Sequence, residues 1–131
     1  MKEVMAIIRA NKINQTKKAL VAAGLPSFTA VKCMGRGSRP VDFEMLEAMN
    51  RSPEDAGEIL PILSQGGRLI PKRMLSLIVP PQKVQEVVDI IMQENSTGNQ
   101  GDGKVFVLPI SDVLRVRTEE EGLQAIDEMQ Q

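Results

Sequence analysis

Thr97-Gly98-Asn99-Gln100-Gly101-Asp102-Gly103-Lys104 is the stretch of this 131-residue chain best suited to hold an anion. Three glycines within six residues let the backbone take positive φ and come close to a ligand. Consecutive N–H groups in such a loop form an anion-binding concavity, and Lys104 adds a cation. Phosphate is the natural guest. Gly98 to Lys104 also fits the opening of the P-loop pattern, Gly-x-x-x-x-Gly-Lys. Val105 then stands where Ser or Thr would hold Mg²⁺, and a strand-like run follows where a helix is required. The loop is therefore not read as a Walker-type NTPase loop. Its plain alternative is a glycine-rich turn joining a helix to a strand.

Arg115 and Arg117, two apart in a segment read as extended (Asp112 to Thr118), are expected on one face, where they repel unless an anion or carboxylates lie between them. With Lys104 they offer three cations to a polyphosphate; Glu119-Glu120-Glu121 are the competing partners. Arg36, in Gly35-Arg36-Gly37, is a further candidate. Asp102 orients a ligand group or Lys104, or caps the turn.

Other chemistries lack their residues. There is no histidine and one cysteine, Cys33, so histidine-based triads, histidine metal sites and an intrachain disulfide are excluded. A net charge of -1 gives no electrostatic case for nucleic acid or a membrane surface. No apolar run has the length of a transmembrane segment, and the lone cysteine fits a reducing cytoplasm. The balance favours a binding or signalling module over an enzyme.

The elements that position these residues follow from periodicity. Lys2 to Arg9 alternates as a strand, with Val4, Ala6 and Ile8 on one side. Ile13 to Ala23 has helical spacing and stops at Gly24. Ser27 to Met34 and Lys72 to Val79 read as strands. Gln82 to Glu94 carries the clearest helical stripe: Val84, Val87, Val88, Ile91 and Met92. Val105 to Ile110 is a fourth strand, with Pro109 at a sheet edge or bulge. Glu119 to Met129 reads as an acidic helix. Between strands two and three, Gly35 to Ile70 is a long connection with short helices at Asp42 to Asn50 and Glu54 to Leu63. The order β-α-β, long loop, β-α-β predicts one α+β domain over 1–131, a ferredoxin-like βαββαβ fold with an antiparallel sheet. Two helices cover one sheet face, so self-association is expected to cover the other.

Together these residues resemble the PII nitrogen-regulatory signal-transduction proteins over nearly the whole chain. Thr97 to Val107 is similar to the family's B-loop (97–104 and the strand after it), and Arg115-Val116-Arg117-Thr118 to its C-terminal element, within 112–131. Met1 to Arg9 and Pro71-Lys72 also fit, and 35–70 falls where the family carries its T-loop. The resemblance implies a trimer that binds ATP or ADP in clefts between subunits, with 2-oxoglutarate beside the nucleotide through Mg²⁺ held by the ligands. Implied nucleotide contacts are Ile7, Thr29, Gly35, Arg36, Ile78, Thr97, Gly101, Asp102, Gly103, Lys104, Arg115 and Arg117. Implied 2-oxoglutarate contacts are Gly37, Lys72 and Gly101.

Some positions depart from the family pattern. Gly37 replaces the usual glutamine that helps hold Mg²⁺ and 2-oxoglutarate, and Ser76 stands where many relatives have Glu. The chain has no tyrosine, so tyrosine uridylylation of the T-loop is impossible. A long, tyrosine-free T-loop and the run Ile70-Pro71-Lys72-Arg73-Met74-Leu75 are similar to the nitrogenase-associated PII paralogues of methanogens and some anaerobes, and within them to the second type. The implied function is a non-enzymatic nitrogen-status regulator, alone or mixed with a sister subunit, acting on dinitrogenase. The alternatives are a PII-like adenylate or small-anion sensor with another target, and a slow ATPase.

Overall fold

The structure is a computed structural model that describes residues 1–37 and 69–129. The two short helices expected at Asp42 to Asn50 and Glu54 to Leu63 lie outside the described residues. Strand β1 (Lys2–Arg9) leads through a 3-10 turn to helix α1 (Ile13–Ala22). Strands β2 (Thr29–Gly35) and β3 (Ile70–Val79) follow, then helix α2 (Val84–Asn95) and strand β4 (Lys104–Pro109). The sheet order is β2-β3-β1-β4 and every pairing is antiparallel. This is the expected small α+β architecture, with strand starts shifted by a residue or two.

The period-2 pattern produces the core. Val4, Ala6 and Ile8 of β1 and Leu75, Leu77 and Val79 of β3 are all but inaccessible. They meet Ile13 and Leu20 of α1 and Val87 and Ile91 of α2. Burying each large aliphatic side chain contributes roughly 1.5–3 kcal/mol.

Helix α1 ends as its sequence foretells. Gly24 takes φ +79, its N–H donates to Val21 O, and the Leu25 N–H reaches back to Leu20 O. That is a Schellman closure, with Leu20 and Leu25 both fully buried beside it.

Three expectations need correction. Met92 is 52% exposed, because only part of the α2 stripe is buried against the sheet: Val87 and Ile91 fill that contact and Met92 stays at its edge. Asp112 to Thr118 is no strand: it holds one isolated bridge, Leu114 to Glu121, and a turn over 116–118. Gly122–Met129 is a 3-10 helix rather than an α-helix, interrupted at Ile126 (φ -126, ψ 34).

The second sheet face carries Met5, Ile7, Met74, Ser76 and Ile78, all half-buried and without helix cover among the described residues. Beside them Phe106 is exposed. On this face Ser76 Oγ donates to Glu3 Oε2 at 2.6 Å.

Candidate functional site

The glycine loop is held from within by one carboxylate. Asp102 accepts the Thr97 N–H at 2.7 Å, the Gly98 N–H at 3.0 Å, and the Thr97 hydroxyl. It also pairs with the Arg9 guanidinium at the end of β1. Burial alone would raise its pKa; the donors from Thr97, Arg9 and Gly98 outweigh that and hold the carboxyl well below the usual carboxylate range. Gly98, Gly101 and Gly103 take φ +81, +97 and +102, a geometry that side chains resist. At Gly103 a Cβ would also fall 1.9 Å from the Ile7 carbonyl oxygen, so the loop closes onto β1 only because this residue is glycine.

Two cations strap the loop to the sheet. Arg9 Nη2 donates to Gln100 O at 2.9 Å, and Lys72 Nζ donates to Gly101 O at 3.1 Å. Arg9 and Lys72 are register partners on β1 and β3, so the straps lie side by side. Burial first, then repulsion from Arg9, lowers the Lys72 pKa from its ordinary value, partly offset by Cys33 and Asp102. A carboxylate arriving there would relieve that repulsion.

The register sorts the expected contacts into two groups. Lys104 pairs with Ile7, and Gly35, which ends β2, pairs with Ile70. Ile7, Gly35, Lys72 and the loop residues Thr97 and Gly101–Lys104 therefore lie towards one end of the sheet, where the chain also carries Arg36 and Gly37. Thr29 opens β2 and lies about 20 Å from Gly35 along the strand. Ile78 pairs with Glu3, four residues and about 13 Å along β1 from Ile7. Arg115 and Arg117 follow Pro109, which pairs with Lys2 at the far end of β4. Within one chain Lys104 opens β4 and the two arginines follow its other end, Ile78 pairs four residues from the level of Ile7, and Thr29 lies level with Met5, two residues from it, so the expected contacts are spread along the sheet as two half-sites.

The arginines differ from their expected arrangement. Arg115 donates to Glu120 Oε1 at 3.2 Å and to Ala125 O at 3.1 Å, while its N–H meets Glu120 O at 2.8 Å. Thr118 also donates to Glu120, at 2.6 Å. The acidic run thus supplies the carboxylate that folds this segment into a turn, with Glu119 at φ +63. Arg117 is exposed on that turn.

Arg9 is the loop contact that sequence reasoning missed. Its only signal was a cation at the end of a strand; its partner, Asp102, lies 93 positions away.

The family model "Nitrogen regulatory protein P-II" matches residues 1–120. A nitrogen fixation nifHD region GlnB-like protein 2 of Methanobacterium ivanovii is 46% identical over 129 residues, covering 96% of this chain and 99% of that protein. Its namesake in Methanococcus maripaludis is 44% identical over 130 residues, covering 96% of this chain and 100% of that protein. The crystal structure of Arabidopsis thaliana PII bound to citrate superimposes with a TM-score of 0.68 at 29% identity, covering 95% of this chain and 87% of that one.

Proposed function

Because this chain belongs to the nitrogen regulatory protein P-II family and to its nitrogenase-associated branch, we propose that it is a non-enzymatic regulator that binds ATP or ADP in clefts between copies of itself. The observation that carries this reading is the separation of the two half-sites. The glycine loop with Lys104 supplies one wall of the cleft, and Thr29, Ile78, Arg115 and Arg117 of a neighbouring copy supply the other. A trimer sharing its uncovered sheet faces closes three such clefts.

In this reading Lys104 and the loop N–H groups hold the phosphates, and the arginines neutralise them from across the cleft. 2-Oxoglutarate sits beside the nucleotide, one carboxylate at Lys72 and its chain against Gly101 and Gly37, with Mg²⁺ held between the ligands. Nothing in the loop replaces the Ser or Thr of a P-loop, and no carboxylate of it is spare to act as a base, since Asp102 is engaged by Thr97, Gly98 and Arg9. That favours holding phosphates over cleaving them. Because Lys72 and Gly35 flank the root of the 35–70 segment, ligand occupancy biases that T-loop between arrangements, and its target senses the difference. The target we propose is dinitrogenase, in keeping with the nitrogen-fixation names of the relatives.

Isothermal titration of the assembled protein with ATP, with and without Mg²⁺ and 2-oxoglutarate, tests the reading. We expect ATP to bind and 2-oxoglutarate to bind only with Mg-ATP. An intact oligomer that binds no adenine nucleotide refutes it. One specific feature favours a second reading, that of an adenylate sensor without 2-oxoglutarate: Gly37 in place of the usual glutamine. Unaltered ATP affinity in 2-oxoglutarate would favour it.

A further inference from the structure

Arg115 lies against the chain that follows it. Its Nη1 pairs with Glu120 Oε1 at 3.2 Å, and its Nη2 donates to Ala125 O at 3.1 Å. The paired side chains are 24% and 36% exposed, so the pair stands at the edge of water, where partners exchange readily. The backbone closes the same way. The Arg115 N–H donates to Glu120 O and the Glu119 N–H to Arg115 O, both at 2.8 Å, and the Gly122 N–H reaches Val113 O at 3.0 Å. Beyond that closure Ala125 and Ile126 are buried. The guanidinium is thus a side-chain clasp that ties the start of the 3-10 helix to the segment before it.

The clasp holds a strained turn. Glu119 sits at φ +63, a region that disfavours any residue with a side chain. The 3-10 helix is interrupted at Ile126, next to the carbonyl that Arg115 holds. Glu120 Oε1 also accepts the Thr118 hydroxyl at 2.6 Å. One carboxylate oxygen therefore collects a guanidinium and a hydroxyl, as an oxygen of a bound phosphate would.

We propose that Glu120 is a built-in competitor of the nucleotide for Arg115, so that phosphate binding unclasps the segment 119–126. The inference rests on the nucleotide reading given above. A polyphosphate offers the guanidinium more charge and more acceptor oxygens than one carboxylate does. The displaced Glu120 is then left beside like charge, which repels it. Ala125 O loses its donor and the turn at Glu119 loses its pin. Nucleotide occupancy is thereby reported at the C-terminal segment as well as at the root of 35–70. Glu120 also sets a threshold: ligands that give Arg115 no more than a carboxylate does fail to open the clasp.

Calorimetry with ATP on the assembled protein, on Glu120→Gln and on Glu121→Gln tests this. Gln keeps the size of Glu120 but holds Arg115 less firmly, so ATP is expected to bind about two- to five-fold more tightly. Glu121 is exposed beside it, and Glu121→Gln removes the same charge without freeing Arg115. It is expected to shift the affinity by less than about 1.5-fold, because exposed charges are screened. Amide hydrogen exchange of the unsubstituted protein should be several-fold faster across 119–126 in saturating ATP than without it. ATP that binds with one affinity to all three proteins, or a segment 119–126 that exchanges no faster when ATP is bound, overturns this proposal alone. No ATP binding by any of the three refutes the nucleotide reading and this proposal with it. The exchange measurement needs no substitution, so it decides even where Glu120→Gln fails to fold.

Discussion

Gly103 lies against the Ile7 carbonyl so closely that a single added methyl group would stand 1.9 Å from its oxygen. The contact joins the glycine loop to the central strand through backbone alone. Gly103→Ala therefore has to move one of them and also strain a backbone at φ +102. It is expected to cost about 1–3 kcal/mol of stability, read by urea denaturation, and to weaken ATP at least about ten-fold. Gly37→Ala is the control, since its Cβ would meet nothing within 4 Å; it should leave stability unchanged. Equal behaviour of the two variants would contradict this account of the loop.

A second expectation concerns acid. The folded-state pKa of Asp102 is depressed, so its stabilising contribution is present in full above the ordinary value of 3.8 and is lost as pH falls below it. The unfolding midpoint of the native protein should drop more steeply below about pH 4 than that of Asp102→Asn. At pH 7 the variant should be the less stable. Parallel curves for the two proteins would show that the carboxylate is not held by Thr97 and Arg9.

The proposed shared cleft predicts complementation. Lys104→Ala and Arg115→Ala each remove a charged hydrogen-bond donor to phosphate, worth about 1.5–3 kcal/mol, so each variant alone should bind ATP roughly 10–100-fold more weakly. Mixed assemblies of the two contain some clefts with both cations intact. Titration of refolded mixtures should recover a fraction of tight sites. A cleft built within one chain would recover none.

Gly37 has open space around its Cα, so the side chain usual in the family can be restored without a clash. Gly37→Gln should strengthen 2-oxoglutarate binding in the presence of Mg-ATP by about three-fold or more, the scale of one added hydrogen bond. Lys72→Ala should weaken it, because it removes a partly buried cation beside Arg9 that would pair with the ligand carboxylate. Calorimetry reads both. An unchanged affinity in Gly37→Gln would mean that the glutamine position has no part in this protein's ligand chemistry.

Much of the fold was legible because burial imposes a period. The alternation of Val4, Ala6 and Ile8 and the Val87–Ile91 spacing each describe one face of one element, and Gly24 marked its helix end. The segment after Pro109 was misread for a related reason. Arg115 and Arg117 alternate as in a strand, but Glu120, five residues beyond the first, draws Arg115 into a turn at 3.2 Å. A side-chain pair formed across a turn leaves no period to read.

By itself the sequence determined most of the elements, their order, and the glycine-rich turn from Thr97 to Lys104, because glycine content, charge and periodicity are local properties of a chain. Tertiary structure alone decided which residues strap that loop, that Gly103 must lack a side chain, and that Arg115 follows the end of β4 opposite to Lys104, its first residue. Those relationships depend on the register of strands far apart in the chain: Arg9 meets Asp102 across 93 positions, and no local pattern encodes where such a pair will close.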